Sequence, residues 1–338
     1  MGFSVSSIYS GLSLDRLGKR TPWSVVLAVV LLYPVSPLHS QDKVRIGVTN
    51  PNMTFLPAGV ALKKGFFQEE GLEAEVISMR VPTMITAITS GDIDYTMAFG
   101  SVIRAAVTGL PLKVVAGTMD SSTHTLVARP EFKSVKDLSG KVLGIESYGG
   151  TSDVAARMML KHFAIDPEKE MRIVALGSAG ARLAAMKAGL VHVVVVTPPA
   201  DSEGKKMGFN IIARAHELFS FPFSGLGTNI RKIKERPEEV KRVIKAVIKA
   251  LRFMRENRAG AIQVLVEWGR IEPEHAAASY DSTIKVFNSD GSIPVDGLRL
   301  LVEQAKVASK VTREVALSEV SDLTILSDAQ RELGIKGR

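Results

Sequence analysis

Apolar and polar positions alternate along the chain in two rhythms that take turns. A period of two, rich in β-branched residues, marks Val44–Thr49, Leu72–Met79, Ile93–Phe99 and Leu112–Met119 as strands. Between them lie helical stretches with their own punctuation. Pro57–Lys64 is stopped by Gly65, the turn at Phe66-Phe67 by Gly71, and the helix opened by Pro82 by Gly91; Ser101–Gly109 follows. The same order then returns. Val142–Ile145, Arg172–Leu176 and Val191–Val196 read as strands, with helices over Thr151–Phe163 and Ala179–Ala188. Two Gly-centred landmarks recur at nearly equal intervals: 44 positions separate Gly47 from Gly91, and 45 separate Gly144 from Gly189. The chain therefore predicts an α/β protein of two similar lobes, each a doubly wound mixed sheet, with a cleft between them.

Two segments read as crossovers. Thr123–Arg129 leaves the first lobe and Phe221-Pro222-Phe223-Ser224-Gly225 returns to it, so the second lobe is inserted in the first. The expected boundaries are 43–127 and 225–326 for the discontinuous first lobe and 128–224 for the inserted one. Two crossover strands joining two lobes make a hinge. A capping box at Ser134–Asp137 predicts one short turn before Gly140. Glu235–Asn257 predicts a long amphipathic helix with Pro237 in its first turn. Its stripe is Val240, Val243, Ile244, Val247, Ile248, Leu251 and Met254. Lys241, Arg242, Lys245, Lys249, Arg252 and Arg255 occupy the other side and read as a solvated face.

Composition narrows the chemistry. A length of 338 residues with 46% hydrophobic and 23% charged residues is ordinary for two globular domains. The absence of cysteine excludes thiolate nucleophiles, disulfides, zinc–thiolate sites and iron–sulfur clusters. The net charge is +8, of which +2 falls in residues 1–40; the rest is dispersed and gives no nucleic-acid footprint. Arg16, Lys19 and Arg20 precede the apolar run Trp23–Tyr33, which Pro34 and Pro37 break before Ser40. This is the pattern of a secretory signal over residues 1–40, and the run is short for a membrane span of ~20 residues. An extracytoplasmic, periplasmic location is expected, with retention of the segment as an anchor as the alternative.

The six histidines form no metal-binding pair at helical spacing, and no nucleophile elbow is present. No metal, cofactor or catalytic site is expected. In open α/β sheets ligands sit beyond the carboxyl ends of the strands. That rule selects Thr54 and Phe55, Arg80, Gly100 and Ser101, and Met119 in the first lobe. In the second it selects Ser147, Tyr148, Gly150, Thr151, Ser152, Ser178 and Thr197. The turn from Ser147 to Ser152 is the strongest candidate, since two glycines and two hydroxyls precede a helix N-terminus, a design suited to an anion.

At these residues the chain resembles the solute-binding proteins of ABC importers, in the group of nitrate-, sulfonate-, taurine- and thiamine-pyrimidine-precursor-binding proteins. The similarity rests on Ala61–Phe67 with Glu70-Gly71-Leu72, Ser90–Asp94, Asp137–Ile145 and Pro237–Val240, and spans about Lys43 to Leu326. It implies a type 2 periplasmic-binding-protein fold that closes on its solute and delivers it to the membrane subunits of a permease, acting as a monomer. Thr54-Phe55, Gly100-Ser101 and Ser147–Ser152 fall on the family's ligand loops. Where the second repeat of the family has Gly-x-Val-Asp-Ala, this chain has Gly189-Leu190-Val191-His192-Val193, a departure that leaves the solute class open. A sensory receptor module of the same fold and a pyrimidine-synthase-like enzyme are the alternatives.

Overall fold

A computed structural model describes residues 42–219 and 221–335. The secretory-signal reading falls on residues 1–40, outside the described part. Among the described residues ten strands form two five-stranded mixed sheets. The first contains β1 (Asp42–Val48), β2 (Leu72–Ser78), β3 (Tyr95–Thr96), β4 (Leu112–Met119) and β10 (Ser224–Asn229), in the order β2-β1-β3-β10-β4. The second contains β5 (Thr125–Ala128), β6 (Val142–Ile145), β7 (Arg172–Ala175), β8 (Val193–Val196) and β9 (Asn210–Arg214), in the order β7-β6-β8-β5-β9.

The two sheets share one plan. In each, three strands run parallel (β2-β1-β3 and β7-β6-β8), and a strand from a crossover inserts antiparallel beside them. The inner strands β5, β6 and β8 of the second sheet read as near-continuous apolar runs because helices cover both faces. Val193–Val196, for example, is wholly buried. The cores are separate. One gathers β1, β3, β4 and the helix Pro237–Glu256, and two smaller clusters flank the second sheet.

The strand–helix order follows the sequence reading, with three differences. The expected strand Ile93–Phe99 pairs only at Tyr95 and Thr96. The Thr96 hydroxyl then accepts from the Ala98 amide at 3.1 Å and turns the chain, so the next helix begins at Phe99 and carries Gly100 and Ser101 in its first turn. Thr125–Val127, expected in the first lobe, pairs with β8 and β9 in the second sheet, whereas Ser224, expected in the second lobe, pairs with Met119 in the first. The helix Ala200–Lys206 and the strand β9 carried no signal that the sequence reading used.

The basic face of Pro237–Glu256 is not a solvated stripe but a set of internal ion pairs. Lys245 and Lys249 bracket Glu70, whose side chain is nearly buried; Lys241 and Lys245 hold Glu332; Arg242 bonds Asp42. Arg252 and Arg255 donate to the carbonyls of Leu333 and Phe287. At the start of that helix, buried Glu239 accepts from the Tyr95 hydroxyl at 3.0 Å and pairs with Lys232 at 2.9 Å.

Candidate functional site

The carboxyl ends of β1, β3, β6 and the crossovers face one another across a narrow cleft. A small central chamber lies between the lobes. The first lobe supplies Thr49, Thr54, Phe55, Val81, Met97, Ala98, Phe99 and Ser101. The second supplies Glu146, Ser147, Gly150 and Thr151, and the return crossover brings Phe223 and Ser224.

Two helix N-termini meet here from opposite lobes. The helix Phe99–Val107 starts after Ala98 and the helix Thr151–His162 after Gly150, and neither has a side-chain cap. Ala and Gly cannot perform the capping that Ser, Asp or Asn would; in the helix Phe99–Val107 the Phe99 and Ser101 amides turn to the carbonyls of Met97 and Ala98, so the first turn at Thr151 is the more open to a partner from outside the helix. The positive dipole ends of both helices favour an oxygen acceptor or anion in the chamber. The lobes touch at this point. A methyl group added at Gly100 would lie 3.1 Å from Thr151 Cγ2. By contrast, the Met53–Phe55 turn at the first loop is capped internally by Asn52, whose side chain accepts from the Thr54 amide at 2.9 Å. The Thr54 hydroxyl sits 3.4 Å from that of Thr123 on the outgoing crossover.

Of the residues selected from sequence, Thr54, Phe55, Ser101, Ser147, Gly150 and Thr151 line this chamber, and Gly100 lines an adjoining one. The others line neither chamber. Arg80 is exposed at the start of the helix Val81–Ser90, and Val81 beside it reaches the chamber instead. Met119 is fully buried at the end of β4, where its carbonyl accepts from the Phe223 amide. Tyr148 is 60% exposed, with its hydroxyl donating to the Ile173 carbonyl at 2.9 Å. Ser152 is buried, and its hydroxyl accepts from the Glu146 amide at 3.1 Å, so it fixes the loop from behind. Ser178 caps the helix Ala179–Lys187 through the Ala181 amide. Thr197 is half-buried, and its carbonyl starts the turn into Ala200. Within the Ser147–Ser152 turn, part of the expected anion cradle is already used. The Gly149 amide donates to the Asp153 carboxylate at 2.7 Å and the Gly150 amide to the Ser147 carbonyl.

An adjoining chamber lies on the side of the return crossover. Gly150, Thr151 and Phe223 border both chambers. Its remaining walls are mainly apolar, and Arg104 projects into it from the helix Phe99–Val107. The Arg104 guanidinium reaches across the cleft and donates to the Gly149 carbonyl. Burial lowers its pKa from the ordinary arginine value, and Asp153 offsets this in part. Sequence reasoning missed Arg104. Its only signal was its place one turn beyond Gly100 on the same helix face. Phe223 was visible as part of the return crossover, which has to pass the cleft.

Behind the chamber the two crossovers are tied together. His124 packs edge-to-face on Phe223, with centroids 4.9 Å apart, and its Nδ1 lies 3.0 Å from the Ser122 hydroxyl. Burial, reinforced by Arg182, holds its pKa down to about 3, so the ring is neutral at pH 7. His192, by comparison, is structural: its Nδ1 accepts from the Val142 amide at 3.2 Å. Among the described residues no group of His, Asp or Glu is arranged to hold a metal, and no helix is long and apolar enough to cross a membrane.

A family model described as NMT1/THI5 like matches residues 50–261. A protein of Brucella abortus named as a binding protein is 22% identical over 263 residues, covering 75% of this chain and 80% of its own length. The fold is that of periplasmic binding proteins. The alkanesulfonate-binding protein SsuA of Xanthomonas axonopodis, solved with MOPS bound, superposes with a TM-score of 0.69 at 16% identity, covering 85% of this chain and 97% of that one. The nitrate-binding protein NrtA of Synechocystis gives 0.72 at 15% identity, covering 86% and 89%.

Proposed function

The chain belongs to the NMT1/THI5-like family, and from that premise we propose that it is the extracytoplasmic solute-binding component of an ABC importer. It captures a small organic or anionic solute between its lobes and presents it to a permease. One observation carries this reading: two helix N-termini without side-chain caps, from opposite lobes, open on a single chamber lined by hydroxyls and aromatic rings. A solute with oxygen acceptors meets both helix ends at once, so binding energy is released only when the lobes are together. That couples affinity to closure. Phe55, Phe99 and Phe223 give the solute an apolar surface, and Glu146 disfavours a second negative charge on its side.

The test is a thermal-shift screen of the full chain against small oxyanions, sulfonates and carboxylates, followed by calorimetry on the hits. A ligand specific to the folded state raises the midpoint. Thr151→Val keeps the shape and removes the hydroxyl, and should weaken the best ligand about fivefold, the value of one hydrogen bond of ~1 kcal/mol. A best ligand indifferent to Thr151→Val and Ser101→Ala alike refutes binding in this chamber.

A further inference from the structure

Arg104 stands in unusual surroundings for a cation. The chamber into which it projects is walled by Ile103, Val154, Phe221, Leu301 and Ala305. Among the described residues its one hydrogen bond is to a neutral carbonyl, that of Gly149, although a guanidinium carries five N–H donors. Asp153, the nearest acid that it feels, is engaged elsewhere, accepting from the Gly149 amide and pairing with Arg157 at 2.5 Å. Arg104 itself forms no ion pair among the described residues. A partly buried charge without a counter-charge is costly, and the mainly apolar chamber beside it offers only the neutral side chains of Gln304 and Thr151, neither of them a counter-charge. An acid with a hydrocarbon body would supply both missing elements.

We propose that the solute is a hydrophobic organic acid, whose carboxylate pairs with Arg104 while its apolar body fills the chamber between the helices Phe99–Val107 and Val295–Ser309 and the return crossover. This rests on the solute-binding reading and narrows its substrate class. The guanidinium fork suits a planar carboxylate bidentately. The head group then lies against Gly150 and Thr151, which border both chambers, so the N-terminus of the helix Thr151–His162 adds to the same recognition. Binding also replaces the Arg104–Gly149 bond with a bridge through the ligand, so both lobes still grip.

The experiment is calorimetry of the full chain with straight-chain alkanoates from propanoate to octanoate, benzoate, and the amides of the same acids. Affinity should rise about fourfold per added methylene until the chamber is full. Acids should bind at least tenfold more tightly than their amides. Arg104→Gln should abolish that preference while leaving amide binding in place, and Arg104→Lys should restore part of it. A loss of acid and amide binding in equal measure would mean that Arg104 only holds the loop, and overturns the proposal. Ala308→Phe, at the exposed rim of the chamber, should cut the gain per methylene without unfolding the protein. If hydrophobic acids do not bind but a polar solute does, with sensitivity to Thr151→Val, the proposal falls and the solute-binding function stands. If nothing in either set binds, both fall.

Discussion

Gly100→Ala places a single methyl group where the two lobes touch. The built Cβ lies 3.1 Å from Thr151 Cγ2, and carbon atoms pack comfortably at ~3.5–4.0 Å. Closing fully then demands a shift of roughly half an ångström, and overpacking by one methyl costs about 1 kcal/mol, the low end of the observed range. Only the closed form is penalised. Gly100 has an ordinary helical conformation, so alanine strains nothing locally and its helix propensity stabilises open and closed forms alike. The unliganded melting temperature should therefore hold or rise, while affinity for any cleft ligand drops about fivefold. Gly100→Val should drop it by up to ~100-fold. Thr151→Ser removes the opposing methyl and keeps the hydroxyl, so adding it to Gly100→Ala should restore affinity, a coupling that a double-mutant cycle reads directly. Titration calorimetry gives the affinities, and small-angle scattering gives the closed fraction. Affinity unchanged in Gly100→Ala, or a loss that persists with Thr151→Ser, would refute the contact as the point of closure.

Three further outcomes follow from buried polar groups. The folded state holds His124 neutral down to about pH 3, whereas the unfolded chain protonates near 6.5, so stability is full above 6.5 and falls as pH drops through that window, by up to ~1.4 kcal/mol per unit. Melting curves of His124→Asn should lose this acid-side slope, and an identical slope would refute it. Glu239→Ala leaves the Tyr95 hydroxyl without its acceptor in the core, while Lys232 keeps Asp94, and should cost roughly 1–3 kcal/mol in urea unfolding, against under 1 kcal/mol for exposed Glu73→Ala. Ser152→Ala releases the Glu146 amide and should lower stability by ~1 kcal/mol, with any affinity loss smaller than that of Thr151→Val; a larger affinity loss would place Ser152 in contact with ligand.

The parallel strands and the helices between them were legible because each is a local rhythm with a Gly or Pro at its end. β10 was not, since Ser-Gly-Leu-Gly-Thr-Asn has two glycines in six residues and little β propensity. Those glycines answer to packing. A Cβ at Gly225 would meet the Ala116 carbonyl oxygen of the neighbouring strand at 2.3 Å and the Phe99 ring at 2.7 Å, and one at Gly227 would meet Val102 at 2.7 Å, because β4 and the helix Phe99–Val107 both lie close to the strand. The site shows the same division. The strand-end rule finds the loops but not the direction of each side chain within them. Thus Ser147 and Thr151 face the chamber, while Tyr148 turns out to Ile173 and Ser152 turns back to Glu146. Arg104 was invisible because its role depends on which helix surface the other lobe covers. The basic face of Pro237–Glu256 misled for a related reason: its counter-charges, Asp42, Glu70 and Glu332, are remote in sequence.

The pairing at the crossovers makes the inserted half a cassette. Met119 and Ser224, where the chain leaves and re-enters the first sheet, are direct partners across β4 and β10. Thr125 and Arg214, the two ends of the second sheet, are partners across β5 and β9. Joining Met119 to Ser224 by a short hairpin turn would leave β4 and β10 in register, and the excised piece would have its own termini side by side. Recombining halves from different relatives at these four positions would then exchange one wall of the cleft without redesigning either sheet.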